Sequence, residues 1–209
     1  MSNASETPAG RRSADARPGG RTADVRRRVL TATEDALIEH GFAGIELPVI
    51  ARAADVGKTT IYRRWGSPQA LVSDLLDEMA AQSVRATHTG ELDSDLQANA
   101  DLIVRTLGHR RQGRLFAALI AAATHDSHTK RALAEFYRIR VDEWSTSVAD
   151  AIDRGAIPAT TDTTAVIRYL SAPLYYQFFT TTERLGDGDA RRAVRATMAA
   201  LGAGVFESS

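Results

Sequence analysis

Between Ile45 and Trp65 the apolar positions change phase twice. Leu47, Ile50, Ala51 and Ala54 recur at helical spacing, Asp55-Val56-Gly57 interrupt them, and Ile61 and Trp65 resume the pattern four residues apart. The spacing predicts two short helices joined by a tight turn, in which Asp bonds its own backbone, Gly accepts a sharp bend and Val56 plugs the corner. Upstream, Thr22 can cap a helix whose stripe is Val25, Val29, Ala32 and Ala36, flanked by Leu30 and Leu37. Gly41 after His40 suits a left-handed cap, with Phe42 folding back onto the core, so three helices form a small head.

The rest of the chain repeats the helical period. Ser67-Pro68 reads as a cap and a first helical position, and Leu71, Leu75 or Leu76, Met79 and Ser83 run down one face of the helix that follows. After the polar break Thr87-His88-Thr89-Gly90 come Leu92, Leu96, Ala100, Ile103 and Leu107, with Asp93 or Ser94 as caps and Gly108 as the stop. His109 to Gly113 reads as a solvated connection, and Arg114 to Thr124 as a helix apolar nearly all round and therefore buried. Leu133, Tyr137, Val141, Trp144, Val148 and Ile152 form a long stripe closed by Gly155 and Pro158. Asp162 caps a helix carrying Val166, Tyr169, Leu170, Leu174, Tyr175 and Phe178, which Pro173 deprives of one donor and kinks. The last helix has one face of Val194, Met198, Leu201 and Val205 and a small-residue face of Ala193, Thr197, Ala200 and Gly204. Two such helices per chain, paired across a two-fold axis, would make a four-helix dimer interface. The expected fold class is all-α: an N-terminal three-helix helix-turn-helix head plus a C-terminal helical bundle that dimerises.

Composition adds limits. Residues 1–20 are rich in Ala, Ser, Gly, Pro and Arg without apolar period, which predicts a disordered basic tail whose Arg11, Arg12 and Arg17, with Arg21 just beyond, can touch DNA backbone or minor groove. The net charge is zero, yet residues 1–66 hold eleven Lys or Arg against eight Asp or Glu, and residues 67–209 hold fifteen against eighteen, so a basic head sits on an acidic body. The absence of cysteine excludes a disulfide framework, a thiolate metal site and a cysteine nucleophile. The longest apolar run, Leu115 to Ala123, is too short to span a membrane, and nothing resembles a signal peptide, so the expected location is cytoplasmic, with no membrane partner. Gly57-Lys58-Thr59 echoes the end of a phosphate-binding loop, but Arg52 stands where that loop requires its first glycine and the context is helical. His125, Asp126 and His128 have the spacing of a metal site, although Ser and Thr around them give the composition of a capped turn. No acid, base and nucleophile converge, so the chain reads as a non-enzyme that needs no cofactor and no metal.

The segment Lys58 to Trp65 surrounds one apolar stripe with donors, which suits a DNA major groove. Arg and Lys pair with guanine edges or phosphates, and Thr meets a base edge or a thymine methyl. The candidates are Lys58, Thr59, Thr60, Tyr62, Arg63 and Arg64, with Arg52 and Thr22 as backbone contacts. Gly41-Phe42, Val49-Ile50-Ala51, Val56-Gly57-Lys58-Thr59-Thr60-Ile61-Tyr62 and Trp65 followed by Ser67 together resemble the tetracycline-repressor (TetR) family of bacterial regulators. Many family members carry Gly where Asp55 stands, Ser where Gly57 stands and Phe where Trp65 stands.

The resemblance implies a homodimeric, ligand-responsive repressor of a pseudo-palindromic operator, divided into a tail over residues 1–20, a DNA-binding domain over 21–66 and an effector-binding and dimerisation domain over 67–209. A small molecule in the body would shift the helix from Pro68 to about Gln82 and move the heads out of register. The large body side chains Phe116, Ile120, Tyr137, Trp144, Tyr175, Tyr176 and Phe179 are the candidates for lining an apolar or aromatic effector's pocket. A constitutive DNA-binding protein with no effector is the rival reading; it would share the head and lack the cavity.

Overall fold

The computed structural model describes residues 18–82 and 88–207, and within them every regular element is helical. The head is α1 (Pro18–His40), a 3₁₀ turn (Phe42–Gly44), α2 (Leu47–Ala53) and α3 (Lys58–Arg64). The body is α4 (Pro68–Ala81), α5 (Leu92–Gly108), α6 (Arg110–His125), α7 (Ser127–Asp153), α8 (Thr163–Thr180) and α9 (Asp187–Gly202). No helix among the described residues is long and apolar enough to cross a membrane. The readings placed on residues 1–17, Ser83 and Thr87 lie outside the described residues.

Val29, Leu37, Ile50 and Ile61 are almost wholly buried and lock the three head helices together. Gly41 takes φ 67° and ψ −169°, a positive-φ conformation that suits glycine but is extended and not the left-handed helical cap expected of it, and its N–H reaches the Leu37 carbonyl at 3.0 Å. Ser67 accepts from the Ala70 amide at 3.2 Å with Pro68 in the first turn of α4, as the sequence indicates. Asp162 caps α8 in the same way, accepting from the Ala165 amide at 3.0 Å. The body core is shared, since α9 packs along α5 and α8 while α7 packs on α4, α6 and α8.

The structure departs from the pattern reading at several points. First, α1 begins at Pro18, so Thr22 lies inside the helix and does not cap it. Secondly, the left-handed residue of the head turn is Asp55, at φ 52°, while Gly57 has an ordinary φ of −64° as the N-cap of α3. Thirdly, His109–Gly113 is no solvated linker. His109 caps α6, Arg110 opens it, and Gly113 is buried where a Cβ would meet the Leu107 carbonyl oxygen at 2.3 Å. Fourthly, neither Asp93 nor Ser94 caps α5; the buried Asp95 carboxylate instead accepts from the Thr89 backbone amide at 2.7 Å and its hydroxyl at 2.8 Å. Fifthly, the small-residue face of α9 is not open to a second chain. Ala193, Thr197 and Ala200 are buried within the protomer, and the exposed small side chains are Ala196, Ala199 and Ala203. Small residues permit close packing but do not say against what. Finally, α8 is not interrupted at the exposed Pro173 but continues to Thr180.

Candidate functional site

α3 is a seven-residue helix held by one deeply buried anchor, Ile61, with the half-buried Trp65 as its C-cap. The Trp65 Nε1–H donates to Asp74 Oδ2 on α4 at 2.8 Å, and the same carboxylate receives Arg26 of α1 at 2.7 Å. Arg26 also pairs with Glu78, and these bonds hold its guanidinium pKa above the ordinary value, Asp74 contributing most. At the other end of the turn, Arg28 donates to the carbonyls of Ala54 and Asp55 at 2.8 and 3.0 Å, which ties the left-handed Asp55 to α1. Anchoring is therefore all on one side of α3.

The opposite side is a row of solvent-facing donors. Lys58, Thr59, Arg63 and Arg64 are exposed, Tyr62 is 52% exposed, Thr60 is half-buried, and Arg52 projects from α2. Among the described residues Lys58, Arg63 and Arg52 enter no ion pair, so their charge is not neutralised within the fold. Arg64 is braced, with its guanidinium over the Trp65 ring at 4.7 Å and one amine donating to the Thr22 carbonyl at 3.3 Å.

The body contains a cavity of about 620 Å³ between α5, α6, α7 and α8. That volume lies within the range of roughly 300–1,000 Å³ common for small-molecule sites. Phe116, Ile120, Tyr137, Trp144, Tyr175 and Phe179 line it. Tyr176 does not: one residue on from Tyr175, about 100° round the helix, it stands 70% exposed on the outer face of α8. Pattern reading missed Phe136 and three arginines, Arg138, Arg140 and Arg168, which also line the space. Phe136 was hidden because it lies beside the stripe and not on it, and it joins Phe116 and Tyr137 at ring separations of 5.8 and 5.3 Å. The Tyr137 and Tyr175 rings meet edge to face at 5.8 Å, and burial pushes both phenol pKa values up, so both stay neutral. The Tyr137 hydroxyl shares a hydrogen bond with Tyr175, whereas the buried Trp144 Nε1–H has no acceptor among the described residues. An unsatisfied buried donor costs about 1–3 kcal/mol.

Body and head touch directly. Arg111 on α6 donates to Glu34 at 2.8 Å and Asp35 at 2.5 Å, and Arg114 donates to the Ile38 carbonyl at 2.7 Å, all on α1. On the other side Gln69 of α4 donates at 3.2 Å to Asp126, the N-cap of α7. That capping role accounts for the polar His125–His128 segment, and no cluster fit to hold a metal occurs among the described residues.

A three-helix head with an exposed cationic second motif helix, carried on a helical body, defines a helix-turn-helix DNA-binding transcriptional regulator. Comparison narrows the class. Residues 29–75 match the model for bacterial regulatory proteins of the tetR family, and residues 86–197, more than half the chain, match the tetracyclin repressor-like C-terminal domain. The chain therefore belongs to the tetracycline-repressor family. It is 28% identical over 173 residues to the uncharacterised HTH-type transcriptional regulator YdeS of Bacillus subtilis, spanning 80% of this chain and 85% of that one. Its fold matches Salmonella enterica GusR with a TM-score of 0.71 at 20% identity, over 85% of this chain and 95% of that one. A TetR-family regulator structure from Mesorhizobium loti superposes with a TM-score of 0.67 at 20% identity, over 90% and 99% of the two chains.

Proposed function

We propose that the protein is a homodimeric repressor that binds a pseudo-palindromic operator through α3 and releases it when a small molecule enters the body cavity. The observation that carries this reading is the continuity between the two sites: α6 and α7 line the cavity, and through Arg111, Arg114 and Asp126 they hold α1 and α4, the helices on which α3 is mounted. A seven-residue recognition helix buries too little to read DNA alone. Two heads on a dimer read half-sites about 34–36 Å apart, so small changes in their separation control affinity. The ligand must bind the released arrangement better, and it weakens operator affinity by that difference and no more.

Lys58 and Tyr62, with Arg52, are assigned to backbone contact, and Thr60 and Arg63 to base edges; Thr59 and Arg64 complete the ridge. The two-fold partner is placed against the exposed outer face of α8 and α9, where Tyr169 is 45% and Tyr176 70% exposed beside Ala196, Ala199 and Ala203. The test is to recover the protected promoter sequence and titrate it with purified protein at several salt concentrations. Lys58→Ala and Tyr62→Phe should weaken all sequences alike and flatten the salt slope for the lysine, while Thr60→Ala and Arg63→Ala should change base preference by about 1–3 kcal/mol at one position. Equal losses for all four across all sequences would contradict the assignment, and an operator affinity insensitive to every cavity ligand would leave a constitutive DNA-binding protein.

A further inference from the structure

Trp65 joins two helices that pack on different neighbours. α3 packs against α2, while α4 packs against α1 and α7. Gly66 and Ser67 separate Trp65 from the start of α4, and side chains bridge that break. The Trp65 Nε1–H donates to Asp74 Oδ2 at 2.8 Å, in the second turn of α4. An indole can only donate, so this is the one conventional hydrogen bond the ring can make. The acceptor is itself fixed. Asp74 Oδ1 receives Arg26 Nε at 2.9 Å and Nη2 at 2.7 Å, the same Nη2 lies 3.3 Å from the Asp74 carbonyl, and Nη1 pairs with Glu78 one turn on. A carboxylate gripped by a planar fork keeps one orientation, so α1 sets where Oδ2 points. On the other side of the joint stands a cation of the ridge. The Arg64 guanidinium carbon is 4.7 Å from the centre of the Trp65 ring, and Arg64 Nη1 donates to the Thr22 carbonyl of α1 at 3.3 Å. Both partners are neutral groups, so they confine the exposed guanidinium without cancelling its charge.

We infer that Asp74 is a positioning residue for DNA binding: by fixing the Trp65 indole it holds Arg64 in one pose, as a contact for a DNA phosphate. The inference rests on the reading of α3 as the DNA-contacting helix and adds to it a residue of α4 that lies outside the ridge. A guanidinium stacked on its neighbour's ring and tied to a backbone carbonyl has little reach left for a base edge. Its remaining N–H donors suit a phosphate oxygen that arrives with the duplex. Pre-setting the long arginine side chain spares rotamer entropy on binding, which is what the Asp74–Trp65 bond contributes to affinity.

The test titrates the protected promoter duplex with full-length protein at several salt concentrations, once circular dichroism has matched the helix content of the variants. These are Trp65→Phe, Asp74→Asn, Arg64→Ala, Lys58→Ala and the double variant Trp65→Phe with Arg64→Ala. Trp65→Phe keeps an aromatic ring in the same seat and removes the N–H. Asp74→Asn turns one acceptor into a donor, so the side chain serves Arg26 or Trp65 but not both. Each should bind about ten-fold more weakly, the size of a hydrogen bond to a charged group. Each should also flatten the salt slope by about one phosphate contact, as Arg64→Ala does, although neither removes a cation. In the Arg64→Ala background Trp65→Phe should cost less than about two-fold more, because its effect passes through Arg64. Losses that leave the salt slope at its native value, or that multiply in full with Arg64→Ala, belong to a general packing defect and overturn the inference. Native affinity in Trp65→Phe, with Lys58→Ala and Arg64→Ala both weakened, overturns it alone. Native affinity in Lys58→Ala and Arg64→Ala alike overturns it together with the α3 reading, so the two fail separately. If Asp74→Asn does not fold, Trp65→Phe and its double variant decide the matter.

Discussion

Gly113 and Gly57 show how differently one residue type can be used. A Cβ on Gly113 would lie 2.3 Å from the Leu107 carbonyl oxygen and 3.3 Å from Phe178, so α5 and α6 touch only because that atom is missing. Gly113→Ala should destabilise the protein by about 1–3 kcal/mol despite the better helix propensity of alanine, seen as a lower thermal midpoint. An unchanged midpoint would mean the α5–α6 contact is looser than described. Gly57 is the opposite case, because a Cβ there meets nothing nearer than Thr60 Oγ1 at 3.8 Å and its φ is ordinary. Gly57→Ser should therefore fold normally, add the side-chain cap α3 lacks, gain a few tenths of a kcal/mol and tighten operator binding. The residue of the turn that needs glycine-like freedom is Asp55, where many family members have Gly. Asp manages φ 52° at modest cost, aided by Arg28 on the neighbouring carbonyls.

Helix ends carry the next level of control. Asp126 caps α7, accepting the Thr129 amide at 2.6 Å while also receiving Gln69 from α4, so one carboxylate fixes where a cavity helix starts and where the connecting helix sits. The Thr129 amide first, then its hydroxyl, Gln69 and the nearby His128, hold this carboxyl below the usual aspartate range. A folded-state pKa below the unfolded one gives stability that is complete above about pH 4 and is lost as pH falls through the folded value. Compared with Asp126→Ala, the native chain should show a higher thermal midpoint at neutral pH, with the gap narrowing in acid. A gap constant with pH would remove the charge from this account. Cap and stripe signals of this kind were legible in the sequence: Ser67, Asp162 and the Asp126 turn behave as their local chemistry indicates. His109–Gly113 misled because Arg110, Arg111 and Gly113 look like loop residues until α1 and α5 are packed against them.

Across the whole molecule the decisive contacts join helices far apart in sequence. Arg111 and Arg114 reach α1 from a helix whose next turn lines the cavity, and Asp74 gathers Arg26 and Trp65 between head and body. If these contacts carry the signal, Arg111→Ala with Arg114→Ala should leave ligand binding and the thermal midpoint nearly unchanged, since exposed ion pairs contribute little stability. The ligand's effect on operator affinity, and by linkage the operator's effect on ligand affinity, should shrink by the same factor. Full coupling in the double variant would place the route through α4 and α7 instead.

The residues alone determined that the chain is helical, where most helices begin and end, and that Lys58 to Arg64 forms a polar ridge over a single apolar anchor. Each of those features depends on neighbours within a few positions, through periodicity, caps and turn chemistry. Only the folded chain decided which side of α9 is covered, that Tyr176 faces outward while Tyr175 faces the cavity, and that three arginines line that cavity. Those outcomes depend on which helix packs against which, and a helical period specifies that a face is buried without specifying its partner.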